Sequence, residues 1–185
     1  LKGKLQKIHD IISKTTRKSE TMKKEANILV RPAEMKDANT VFSFIKKLAI
    51  YEQMEDQVQA TLEDIKKSIF LQKDAQVLLI EENQIPVGFA LYFKTYSTFL
   101  GKANYYLEDL YIDEDKRGNG YGKLLLSHLA NMAVLNKADR LEWVCLNWNK
   151  PSIAFYQSLG AKPLEDWTTF RLAHQDLKRL AKQKS

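Results

Sequence analysis

The run Arg117-Gly118-Asn119-Gly120-Tyr121-Gly122 places three of the chain's seven glycines within five positions, directly ahead of the apolar, helix-patterned stretch "KLLLSHLANMAV". A helix starting there points several unbonded backbone N–H groups and the positive end of its dipole outward together, an arrangement that binds phosphate. Glycine lets the backbone approach an anion closely, and Lys116 and Arg117 add positive charge. The competing reading is a plain glycine turn joining a strand to a helix. The Walker pattern GxxxxGK[ST] fails, because Lys123 is followed by Leu124. The dinucleotide pattern GxGxxG fails too: the spacing here is GxGxG, and the following strand, "RLEWVCLNW", ends on no acid that could hold a ribose. RxxGxG survives.

A second candidate lies just upstream in "YYLEDLYI". Strand alternation puts Glu108 on the face of Tyr106, Leu110 and Ile112, with Asp109 on the other. A carboxylate in an otherwise apolar strand is either a functional acid or base or an edge group held by a salt bridge. Tyr51 and Glu52, in "YEQMED", read by themselves as a solvated helix end. Tyr156, in "PSIAFYQSLGA", reads by itself as an aromatic on a short helix, with Ile153 and Phe155 as its packing residues; Asn149 stands where it can cap that helix. His9, His128 and His174 are scattered and pair with neither acids nor cysteine, so neither a metal site nor a serine-type triad is expected. Trp143, Trp148 and Trp167 are expected in the core or an interface, since no basic residues interleave with them as a base-stacking platform requires.

These residues need elements to position them. "ILVRPA" reads as a short strand ended by Pro32, followed by a helix over about Met35 to Tyr51 with Val41, Phe44, Ile45, Leu48 and Ala49 at helical spacing and Asp37 near its start. Thr61 with Asp64 resembles a capping box and opens a second helix through about Leu71. "AQVLLIEE", "IPVGFALYFKTY" and "ANYYLEDLYIDE" read as consecutive strands, the first two joined by an "ENQI" turn that predicts antiparallel pairing. After the glycines come a helix to about Asn136, the strand "RLEWVCLNW", a helix from about Pro151 to Leu159 stopped by Gly160, a strand near "WTTFRL" and a terminal helix from about His174. The class is mixed α/β.

At 185 residues the chain fits one domain, which at this size buries roughly 70% of its unfolded surface without staples. No apolar run approaches the ~20 residues that span a bilayer. Cys145, the single cysteine, gives no intramolecular disulfide and no metal-ligand spacing; it argues for a reducing, cytoplasmic compartment and reads as inert packing. The formal charge of +6 is local: residues 1–27 hold eight Lys/Arg against three Asp/Glu, a net of +5, and the rest is nearly neutral. Residues 1–27 are thus expected to be a separable basic leader, either an amphipathic helix around Leu5, Ile8, Ile11 and Ile12 or upstream or tag-derived sequence, with the folded domain over 28–185. The basic balance does not make nucleic acid a partner of that domain.

The RxxGxG loop resembles the coenzyme A pyrophosphate loop of the GNAT acetyltransferases. "LVRPA", "IKKLAIYEQMEDQV", "VGFALYFKTYSTFLGK", "YYLEDLYIDEDKRGNGYGKLLL" and "NWNKPSIAFYQSLGA" are similar, in order and separation, to stretches of the spermidine/spermine and thialysine N-acetyltransferase subfamily. That resemblance, covering about residues 28–180, implies a twisted, mostly antiparallel sheet of about six to seven strands flanked by helices. It implies acetyl-CoA as cosubstrate and no metal. Backbone N–H groups between Gly118 and Lys123, through Asn119, Gly120, Tyr121 and Gly122, would hold the pyrophosphate beside Arg117. The pantetheine arm would lie along Leu110, Tyr111 and Ile112, whose amides would polarise the thioester carbonyl. Asn149 and Ser152 would touch the coenzyme, Tyr51, Glu52 and Glu108 would receive the amine, Glu108 would be the catalytic carboxylate that takes its proton, and Tyr156 would protonate the leaving thiolate. The resemblance further implies a homodimer with "WTTF" at its interface. "TYSTFLGK", with Ser-Thr where the polyamine branch carries Asp-Pro, points to the thialysine-like branch. Acetylation of a protein amino group, or a non-catalytic acetyl-CoA-binding module with a nucleic-acid-binding basic tail, are the alternatives.

Overall fold

The computed structural model describes residues 26–182, so the helix expected in the leader lies outside the described residues. The chain divides into two compact units, Leu1–Val144 and Cys145–Ser185.

In the first unit, strand β1 (Ile28–Pro32) leads through a short turn of 3-10 helix into helix α1 (Ala38–Tyr51). Asp37 sits at this junction, where its carboxylate accepts from the Glu34 N–H (2.8 Å) at the start of the helical segment and also pairs with the Arg31 guanidinium (2.7 Å). Arg31 also pairs with Glu81 (2.7 Å), so one cation links β1 to two buried acids. The Arg31 guanidinium holds the Asp37 carboxyl below its usual range. Helix α2 begins at Leu62–Ile65 and continues as a π-helical stretch, Lys66–Gln72. Its capping box forms as expected: Thr61 Oγ1 accepts from the Asp64 N–H (3.2 Å), and the Asp64 carboxylate accepts from the Thr61 N–H (2.9 Å).

Strands β2 (Gln76–Glu82), β3 (Ile85–Ser97) and β4 (Lys102–Ile112) follow as an antiparallel meander. Asn83 and Gln84, both at positive φ (53° and 68°), form the two-residue turn that matches the twist of the paired strands. Helix α3 (Tyr121–Leu135) and strand β5 (Leu141–Glu142) complete the unit, and the sheet order is β1-β2-β3-β4-β5. On one sheet face, Val77, Leu79, Phe89, Leu91 and Tyr111 pack with Phe44 and Val41 of α1 and Ile69 and Phe70 of α2. Phe44 stacks on Phe89 with ring centroids 5.7 Å apart. Burying a side chain such as Phe89 or Leu79 contributes about 1.5–3 kcal/mol. α3 covers the opposite face with Leu125, Leu126 and Leu129, and Tyr92 reaches toward its Met132 (3.9 Å). Gly88 on β3 leaves no room for a side chain, since a Cβ there would stand 2.5 Å from the Tyr111 carbonyl oxygen of β4.

The second unit contains helices α4 (Lys150–Ser158) and α5 (His174–Ala181). Two expectations fail here. The strand expected over "RLEWVCLNW" shrinks to β5, and none forms at "WTTFRL", so the sheet has five strands rather than six or seven. A strand needs a ladder partner and a face to bury; Trp167 and Phe170 are instead 76% and 89% exposed. Trp148 is likewise exposed rather than core, and Cys145 lies outside any strand, partly exposed.

Candidate active site

The glycine loop forms where the sequence places it, between the end of β4 and the start of α3. Gly118 and Gly120 take φ of 80° and 81°, a region costly for any other residue, and a Cβ at either would meet nothing within 4 Å. The first helical hydrogen bond runs from the Leu124 N–H to the Gly120 carbonyl (3.0 Å). Among the described residues, the N–H groups of residues 118–123 donate to no protein acceptor. Consecutive donors under open space at a helix start fit a diphosphate.

The loop is held from below by Glu82, at the end of β2. Glu82 accepts a hydrogen bond from the Tyr121 hydroxyl (2.8 Å) and forms an ion pair with Lys116. Lys116, then Tyr121, keep the Glu82 carboxyl below its usual value. Lys116 therefore serves as a strut, whereas the sequence suggested a charge for the anion. Asn119 closes the loop by donating to the Lys116 carbonyl (3.0 Å). Arg117 donates to the Ile112 carbonyl (3.1 Å), and its guanidinium lies 4.6 Å from the ring centroid of Tyr51 and 5.6 Å from that of Tyr111. One side chain thus ties the loop to the end of α1.

β4 is paired on one edge only beyond Tyr106, since β5 meets it at Tyr105 and Tyr106 alone. The Asp113 N–H donates to Val87 on β3 (2.9 Å). Alternation from that point turns the Tyr111 amide toward β3 and the Leu110 and Ile112 amides toward the unpaired edge. Two of the three expected amides are therefore available to a ligand lying along that edge.

The expected faces of Glu108 and Asp109 are overturned by a β-bulge. Leu91 stands opposite Asp109 and Tyr92 opposite Leu107, leaving Glu108 with no ladder partner. The extra residue reverses the alternation. Tyr106, paired with Phe93, Asp109, paired with Leu91, and Tyr111, paired with Phe89, all occupy the α1 face, while Leu110 and Ile112 occupy the other. Glu108 is exposed and Asp109 partly buried. Burial, then Glu108, then Glu52 push the Asp109 carboxyl up to about 7. Glu52, partly buried at the end of α1, is also raised by burial. Neither Glu82 nor the placement of Asp109 emerged from sequence reasoning; two acids in succession inside an apolar strand were the available sign that plain alternation would not hold.

In the second unit, the Asn149 side chain caps α4 by accepting from the Ser152 N–H (3.3 Å), as its position predicted. Tyr156 is partly buried on that helix, 5.3 Å from the ring of Phe155. Among the described residues no cluster of His, Cys, Asp and Glu could hold a metal, and no helix is long and apolar enough to cross a membrane.

Residues 41–161 match the acetyltransferase (GNAT) family. The chain is 31% identical over 168 residues to a thialysine N-epsilon-acetyltransferase of Sus scrofa, covering 84% of this chain and 98% of the relative. It is 38% identical over 98 residues to the L-ornithine N5-acetyltransferase NATA1 of Arabidopsis thaliana, covering 53% of this chain and 43% of that one. Among solved structures, an integron cassette protein of V. cholerae superposes with a TM-score of 0.72 at 25% identity, covering 84% of this chain and 98% of that one. The chain belongs to the GNAT acetyltransferase family, and it is an N-acetyltransferase.

Proposed function

We propose that this enzyme transfers the acetyl group of acetyl-CoA to a primary amine of a small diamine, polyamine or thialysine-like amino acid. The observation that carries the reading is the run of unbonded N–H groups at residues 118–123, continuous in sequence with a strand whose free edge bears the Leu110 and Ile112 amides. The first set suits the pyrophosphate. The second suits a thioester oxygen that gains negative charge as the amine attacks. An alkyl ammonium, with its pKa near 10, must lose a proton before it attacks, and the acids Glu52, Glu108 and Asp109 suit such a cation. In this reading Tyr156 protonates the departing thiolate, and Asn149 and Ser152 meet the coenzyme.

Relatives named for thialysine and for L-ornithine acetylation support a small amino-acid amine as acceptor. The same reading makes the enzyme a cytoplasmic homodimer. Thiol release from acetyl-CoA, measured with thialysine, ornithine, spermidine and lysine, tests it for the full chain and for a truncation beginning at Met22. Turnover with at least one of these amines, retained on truncation, is expected. No turnover with any of them, together with salt-sensitive DNA binding lost on truncation, would favour a non-catalytic module instead.

A further inference from the structure

Resting on the coenzyme reading of the glycine loop above, we propose that Glu82 is a positioning residue for the coenzyme: by holding Lys116 and Tyr121 at once, it fixes the loop in the form that receives a diphosphate. Lys116 immediately precedes the RxxGxG run and Tyr121 opens α3, so the two partners bracket residues 117–120. One oxygen of the Glu82 carboxylate accepts from the Tyr121 hydroxyl (2.8 Å), and the other forms the ion pair with Lys116. The Tyr121 side chain is buried, so its hydroxyl needs such an acceptor. Both ends of the loop are thereby tied to one point on β2, two strands away from the strand that leads into it.

That point is itself fixed. Glu82 ends β2, opposite Ile85 across the two-residue turn and opposite Ile28 of β1. Asn83, next in the chain, donates its N–H to the Asn27 carbonyl (2.8 Å), and its side-chain carbonyl accepts from the Asn27 N–H (3.0 Å). On the side of the loop, the Lys116 N–H donates to the Asp113 carbonyl (2.9 Å), and the Asp113 N–H donates to the Val87 carbonyl on β3 (2.9 Å). The carboxylate therefore joins two places that the sheet already holds.

The segment between them has little else to give it shape. Gly118 and Gly120 stand at φ of 80° and 81°, and glycine gives up more conformational freedom on ordering than any other residue. Asn119 contributes one side-chain bond, to the Lys116 carbonyl (3.0 Å), which is inside the bracket that Glu82 closes. A loop that its ligand must order binds more weakly than one already ordered. Electrostatics point the same way. A lone carboxylate close to a bound diphosphate would repel it, and the ion pair with Lys116 cancels that charge. A lysine so engaged offers the anion little attraction of its own, so the three side chains act through geometry rather than charge.

Two acetyl donors test the assignment: acetyl-CoA, and S-acetylpantetheine, which carries the thioester arm without the diphosphate. The quantity read is the ratio of their kcat/KM values with the best amine, because damage to the fold or to the amine site lowers both and cancels. Glu82→Ala should lower the ratio about tenfold, through KM for acetyl-CoA, with a parallel loss of coenzyme A affinity by calorimetry. Tyr121→Phe and Lys116→Met should each lower it about threefold, and neither should add more than about twofold to Glu82→Ala, since all three changes break one bracket. A Glu82→Ala ratio within about twofold of wild type overturns the role of Glu82. So does a ratio that rises, because a released Lys116 would then be the phosphate ligand. If Glu82→Ala does not fold, judged by circular dichroism, Glu82→Gln takes its place: it keeps an acceptor for Tyr121 but loses the ion pair. A fall of about threefold supports the assignment there, and an unmoved ratio overturns it. A wild type that uses both donors equally well overturns the coenzyme reading of the loop itself, and the role of Glu82 with it.

Discussion

An unpaired carboxylate in a half-enclosed position weakens the fold whenever it is charged. Asp109 titrates at about 7 in the folded chain against an ordinary 3.8, so the folded state favours the protonated form. The associated stability is fully present below the ordinary value, is lost as pH rises toward about 7, and stays lost above it. Asp109→Asn should therefore match wild type near about pH 4 and exceed it near about pH 8 by roughly 1–4 kcal/mol, in urea or thermal unfolding. Equal stability of the two proteins at the higher pH would remove the buried-acid description. Tyr156 makes a different demand, because its proposed role is chemical. Tyr156→Phe should lower kcat by about 10²-fold or more while coenzyme affinity holds, since only the hydroxyl is lost. Unchanged turnover would reassign the acid. The glycine opening was legible from residue type alone. Asp109 was not, because one extra residue in β4 reverses every side-chain direction after it, and no single side chain announces a bulge.

The coenzyme loop illustrates how far local pattern reaches. Three glycines ahead of an apolar run predicted an opening at a helix start, and that opening is present at Gly120. The strut beneath it was hidden, because Glu82 lies 34 residues from Lys116 and 39 from Tyr121 and reads, in sequence, as a polar strand end. The β2–β3 hairpin was legible for the opposite reason: its turn is two residues long and its strands are neighbours in sequence. Gly120 yields a prediction that separates conformation from crowding. Valine there would meet open space in the protein itself but would have to adopt φ of 81°. The folded chain should survive with a loss of about 1–2 kcal/mol. Acetyl-CoA affinity should fall about tenfold or more, because a β-branched side chain would stand where the diphosphate approaches the N–H groups. Calorimetric titration with coenzyme A reads this directly; wild-type affinity would show that the loop does not cradle the ligand.

Beyond Val144 the two expected helices form, but the strand pattern of the sequence and the structure part company. "WTTFRL" has the composition of a strand, yet Trp167, Phe170 and Leu172 are exposed and the segment has no ladder partner among the described residues. Intrinsic strand preference is weak without a surface to pack on, so composition alone was insufficient. The homodimer proposed above accounts for both facts, because a second copy would supply apolar surface to these side chains. Sedimentation of the wild type at micromolar concentration should then give a particle of about twice 21.4 kDa. Replacing Trp167 and Phe170 together by Asp should return it to a single chain, because charges buried at an interface without partners are strongly destabilising. A monomeric wild type, or a double variant that still sediments as a dimer, would remove the "WTTF" segment from any subunit interface.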